Sequence, residues 1–125
     1  MSSDDLVQFE VCIVPPRSVL GAGIVFDAVV ICSPNEPRFP YFVLTLMKVD
    51  YGTPERIECE VSRAEFHDPA YFPAGAYYLS GYYDSGQDHE VRNARYYAVL
   101  RMYQIHDEGV AAVVVDTKPP VKILP

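Results

Sequence analysis

The chain has 125 residues, enough for one domain with a real core, and its 50% hydrophobic and 22% charged content is that of a globular sequence. Ten Tyr, six Phe and 11 Pro, with no Trp, favour short β-rich runs joined by turns over long helices. A formal charge of −7, from 17 acidic and 10 basic residues, disfavours non-specific attachment to nucleic acid or anionic membrane, because phosphate attraction needs a positive footprint.

The start, Met1-Ser-Ser-Asp-Asp, is acidic and polar, unlike a secretory or transit leader, and residues 1–6 are expected to be flexible. Val7 to Val14 reads as a first strand, with Val7, Phe9, Val11 and Ile13 on one face and Gln8, Glu10 and Cys12 on the other. Pro15-Pro16 is expected to end it, since neither proline donates to a ladder, and Arg17 to Gly23 is then a connection or edge segment. Gly21-Ala-Gly-Ile-Val-Phe lacks the third glycine, the following helix and the lysine of a phosphate loop. Ile24 to Cys32 is a nearly unbroken apolar run interrupted by Asp27, which predicts a central strand buried on much of both faces.

After the turn-rich Ser33 to Pro40, Tyr41 to Val49 reads as a strand, and Asp50 to Pro54 turns the chain. Arg56 to Val61 alternates Ile57, Cys59 and Val61 with charge, as a strand with one wet face does. Ser62 to Gly75 is the least regular part. Ser62 is placed to cap a short helical turn with Glu65 three residues on, and Pro69 and Pro73 stop it. Ala76 to Tyr83 is strand-like again, and Asp84 to Asp88 is a turn. Ala94 to Ile105 alternates most clearly: Tyr96, Ala98, Leu100 and Met102 form the predicted inner face, and Tyr97, Val99, Arg101 and Tyr103 point outward. His106 to Gly109 turns, Val110 to Val115 is a very apolar strand, and Val121 to Leu124 makes a short terminal one. Seven or eight short strands with tight links predict a single all-β domain over residues 1–125, an Ig-like two-sheet β-sandwich.

The residues that carry chemistry do not converge. His67-Asp68, His89-Glu90 and His106-Asp107-Glu108 match no metal-ligand spacing, and no metal or cofactor is expected. There is no G-x-S-x-G elbow, and Glu58 and Glu60, which bracket Cys59, read as a solubilising face. Cys12, Cys32 and Cys59 lie in apolar segments and are expected to be reduced core thiols; a Cys12–Cys32 disulfide would strand the third. The tyrosine pairs are more informative. In Tyr77-Tyr78, Tyr82-Tyr83 and Tyr96-Tyr97 one ring can fill the core while the other is exposed, and exposed aromatic residues together mark partner surfaces. Tyr71 and Phe72 add to this set.

The stretches Pro15-Pro16-Arg17, Phe39-Pro-Tyr-Phe-Val-Leu-Thr-Leu-Met-Lys-Val-Asp50, Ile57 to Arg63, Val113 to Leu124 and above all Arg95-Tyr-Tyr-Ala-Val-Leu-Arg-Met-Tyr-Gln-Ile105 together give a pattern that resembles the velvet domain. That is the Ig-like domain of fungal regulators, itself similar to Rel-homology domains. The resemblance implies a non-enzymatic regulator of transcription and development, in nucleus or cytoplasm, that forms a homodimer or pairs with a velvet-type subunit. Where that family carries a basic, proline-rich loop, this chain has Ser18-Val-Leu-Gly-Ala-Gly-Ile-Val and keeps only Arg17. DNA contact, if made, is expected to use Arg17, Lys118 and Lys122, with Arg63 a weaker candidate. The expected protein interface is Tyr71, Phe72, Tyr97, Arg101 and Tyr103. Two other readings compete: an Ig-like binding or adaptor module with no nucleic-acid role, and a small enzyme using His67 or His106 with nearby carboxylates at one end of the sandwich.

Overall fold

The computed structural model describes residues 9–19, 23–32, 41–51, 54–67, 75–84, 94–103, 111 and 113–123. They form seven strands: β1 (Phe9–Ser18), β2 (Gly23–Cys32), β3 (Tyr41–Asp50), β4 (Glu58–His67), β5 (Gly75–Asp84), β6 (Ala94–Tyr103) and β7 (Val113–Asp116). All pairings are antiparallel, in a three-stranded sheet ordered β1-β2-β5 and a four-stranded sheet ordered β4-β3-β6-β7. The chain crosses between sheets after β2, β4 and β5, as expected of an Ig-like two-sheet sandwich. The fourth strand pairs with β3, whereas a constant-type immunoglobulin domain places it beside the fifth.

The core follows the period-two rule. Ile24, Phe26, Ala28 and Val30 of β2 and Leu79 of β5 meet Phe42, Leu44 and Leu46 of β3 and Tyr96, Ala98, Leu100 and Met102 of β6, while Val11 and Ile13 pack at the margin. The inner face read from β6 is the one observed. Phe42, Phe66 and Tyr77 form a ring cluster across the two sheets, Phe66 and Tyr77 meeting edge-on with centroids 5.6 Å apart.

Five expectations are corrected. Pro15-Pro16 does not end β1: the pairing shifts register between Val14 and Arg17, and the strand resumes through Arg17 and Ser18. A bulge leaves the prolines without ladder partners, which an edge strand tolerates. Ser62 caps no helical turn, because β4 runs straight through to His67. Its hydroxyl donates to the Tyr82 carbonyl at 3.1 Å, joining β4 of one sheet to β5 of the other. The strands buried on both faces are β3 and β6, not β2, whose outward residues are half-buried or exposed. Cys12 and Cys59 are exposed free thiols, since Cys12 faces out of β1 and the chain at Cys59 lies beyond a register shift in β3–β4; no disulfide forms at Cys12, and the Cys32 side chain is outside the described residues. The predicted terminal strand is a single bridge, Tyr96 to Val121.

Candidate interaction surface

The two sheets treat their outer faces differently. On β4-β3-β6-β7 the outward tyrosines of the central strands are covered: Tyr97 and Tyr103 are each only 5% exposed, while Arg95 at the end of β6 stays exposed. Tyr103 stacks on Tyr41 with centroids 5.2 Å apart, and Val43 and Ala111 join them. Long polar side chains complete the cover. The Tyr41 hydroxyl donates to Glu65 and the Tyr97 hydroxyl to Glu58, Arg101 donates to the Thr45 hydroxyl at 3.3 Å, and the Lys118 ammonium lies 5.0 Å from the Tyr97 ring centroid. Burial first, and then the hydrogen bond to Glu58, push the Tyr97 phenol up to about 12. Tyr97, Arg101 and Tyr103 therefore face outward as expected but are not an open aromatic surface, because their own sheet neighbours cover them.

The outer face of β1-β2-β5 is open. Asp27 sits at its centre, opposite Val14 on β1 and Ser80 on β5. Its carboxylate accepts from the Ser80 hydroxyl on Oδ1 at 2.7 Å and from Arg17 Nη2 on Oδ2 at 2.5 Å. Two residues to either side on β5 stand Tyr78, opposite Val29, and Tyr82, opposite Val25. Tyr78 is 74% exposed, Tyr82 57% and Ile31 45%. Covering one such ring recovers on the order of 3 kcal/mol before the entropy cost of association. The ring of Tyr82 leans back over Gly23, where an ideal β-carbon would lie 2.6 Å from its Cε2. The Arg17–Asp27 pair, with side chains 50% and 25% exposed, is screened by solvent and contributes at most about 1 kcal/mol.

The expected basic residues are not gathered into one patch. Arg17 lies on the open face against Asp27. Arg63, on β4 of the other sheet, forks onto Glu60 at 2.9 Å through two nitrogens and reaches Glu65 at 3.5 Å. Lys118 covers Tyr97, and Lys122 is exposed beyond the Val121 bridge. Tyr71, Phe72, His89 and His106 lie outside the described residues, as does the side chain of His67. Among the described residues no cluster of three His, Cys, Asp or Glu side chains is placed to hold a metal ion.

Sequence reasoning singled out the tyrosine pairs but did not assign Tyr78, Tyr82, Ile31 or Asp27 to a surface. The rule of one ring in and one out holds for Tyr77-Tyr78 and Tyr82-Tyr83 and fails for Tyr96-Tyr97, where both are buried. The signal was the alternation itself, together with the lone Asp27 inside an apolar run. No family model, curated protein or solved structure matches the chain.

Proposed function

We propose that this β-sandwich is a non-enzymatic binding module that docks a protein partner through the outer face of β1-β2-β5. The observation that carries the reading is the exposure of Tyr78, Tyr82 and Ile31 on the face that carries a hydrogen-bonded Asp27, whereas the outward tyrosines of β3 and β6 in the other sheet are covered. Exposed aromatic residues rimmed by polar groups are the composition of interface centres. The face is built on three strands of ten residues each, two of which, β2 and β5, pair without a break, so it is presented rigidly.

The role that the velvet resemblance implies, a dimerising regulator of transcription, fits such a module in its protein-pairing part. Its DNA part is less well supported, because Arg17 and Arg63 are each engaged by carboxylates.

Panning a random peptide library against the folded chain, followed by affinity measurement on the enriched sequences, tests the docking reading. Enriched ligands are expected to lose binding to the Tyr78→Ala/Tyr82→Ala variant and keep it with Val114→Ser, a change on the outer face of the other sheet. Enrichment only of ligands indifferent to Tyr78 and Tyr82, or no enrichment, sinks the proposal.

A further inference from the structure

We infer that the Asp27 carboxylate, set between Tyr78 and Tyr82, is a seat for an arginine side chain of the protein partner, and that Arg17 occupies that seat while the face is free. The inference rests on the docking reading above and adds the chemistry of the ligand.

An ionised carboxylate has about four acceptor positions. Here Ser80 takes one on Oδ1 and a single nitrogen of Arg17 takes one on Oδ2. Positions therefore remain for the two-pronged approach that a guanidinium makes to a carboxylate. The flanking rings suit the same ligand. Tyr78 and Tyr82 stand one on each side of Ser80 along β5, in register with the valines on each side of Asp27. A cation over that carboxylate comes within reach of aromatic faces that attract it. The chain uses this pairing elsewhere: the guanidinium groups of Arg56 and Arg95 each lie 5.2 Å from the Tyr51 ring centroid, and Lys118 lies over Tyr97.

Charge decides between partners. Among the described residues, Glu10, Asp27 and Asp84 face outward here against one cation, Arg17, on a chain of formal charge −7. A second copy would bring the same sign of charge to the contact. A wholly apolar partner would bury the Arg17–Asp27 pair without adding hydrogen bonds, which is unfavourable. A cationic partner gains on both counts. Arg17 is half exposed and held through one nitrogen, so a partner's guanidinium displaces it at little cost, and the seat is self-covered until the partner arrives.

The test compares two short strand-forming peptides of Val and Thr that differ only at a central position, arginine in one and uncharged citrulline in the other. Binding to the full chain is followed by fluorescence anisotropy at low and at high salt, with thermal melts confirming that each variant folds. The arginine peptide is expected to bind about tenfold tighter than its twin, an advantage that shrinks with salt and vanishes in Asp27→Asn. Arg17→Ala is expected to tighten the arginine peptide by roughly three- to tenfold and leave the citrulline twin unchanged, because the seat is emptied in advance. Equal affinity of the twins for the unaltered chain, or no gain from Arg17→Ala, overturns the inference. If both twins bind equally and Tyr78→Ala/Tyr82→Ala abolishes both, the docking reading stands and the arginine seat falls. Failure of both twins to bind removes the seat, with the docking reading decided by panning. Self-association in sedimentation that Tyr78→Ala abolishes overturns the seat in favour of a second copy.

Discussion

Gly81 and Gly23 face opposite sides of the β1-β2-β5 sheet, and at each an aromatic ring takes the room of a side chain. Phe26 is opposite Gly81 in register, and an ideal β-carbon there would sit 2.2 Å from Phe26 Cζ, inside the core where nothing can yield cheaply. Gly81→Ala is therefore expected to destabilise the fold by about 1–3 kcal/mol, read by urea or thermal unfolding. Phe26→Leu should cost less in the Gly81→Ala background than in the parent, so a double-mutant cycle shows coupling. Additive losses would mean that the ring is not the cause. Tyr97 gives a prediction in pH. Its neutral phenol is favoured in the folded state by burial and by the Glu58 carboxylate, which moves it from 10.0 to about 12. A folded-state value above the unfolded one means that its stabilisation is whole below pH 10 and is lost as pH rises through about 12. Glu58→Gln removes the negative neighbour and leaves the burial, so the Tyr97 titration should fall while staying above the unfolded value. Ring-labelled tyrosine NMR reads it, and an unmoved midpoint would discount Glu58.

At the scale of elements, β1 shows how an open sheet edge is protected. Among the described residues it pairs only with β2, and the Pro15-Pro16 bulge interrupts its other side halfway along. Replacing both prolines by Thr restores donors to that edge and is expected to raise self-association on standing, measured by light scattering. A solution that stays monodisperse would show that the bulge is not what guards the edge. The same element shows why sequence reading erred there. A proline pair signals a stop by removing two donors, but an edge strand uses donors on one side only and a register shift absorbs the rest. β4 misled for another reason. Ser62 and Glu65 have the spacing of a capping box, and the tertiary pairing of Phe42 with Phe66 and Leu44 with Ala64 overrides that local preference. β6 was legible because Tyr96, Ala98, Leu100 and Met102 recur at every second position and form its buried inner face. What its sequence did not contain was the cover over its outer face, since Glu58, Lys118 and Tyr41 come from distant parts of the chain. The open surface was half legible: the paired tyrosines say that one ring of each pair faces out, and only the sheet order says that Tyr78, Tyr82 and Ile31 lie on one face.

Over the whole molecule the two sheets divide the work. β3 and β6 are buried on both faces and pair along their full length, while β1-β2-β5 is packed on one face and open on the other. The central pair of the four-stranded sheet should therefore open only with global unfolding, and the three-stranded sheet should open locally at lower cost. Native-state hydrogen exchange is expected to place the slowest amides on the inner stretches of β3 and β6, around Leu44 and Leu100, with β1 exchanging fastest among the long strands beyond the Val14 register shift. The physical reason is that an amide in β3 must lose a neighbour strand on each side and the packing on both faces before it meets water, whereas β1 has one neighbour among the described strands and is packed on one face. The asymmetry also bears on binding. A partner seated on Tyr78 and Tyr82 supplies the missing second layer to β2 and β5, so ligand addition should slow exchange there selectively and leave β3 and β6 at their global limit. Slowing confined to β4 or β7 would place the contact on the other sheet, and uniformly slow exchange before any ligand is added would show that the open face is no weaker than the closed one.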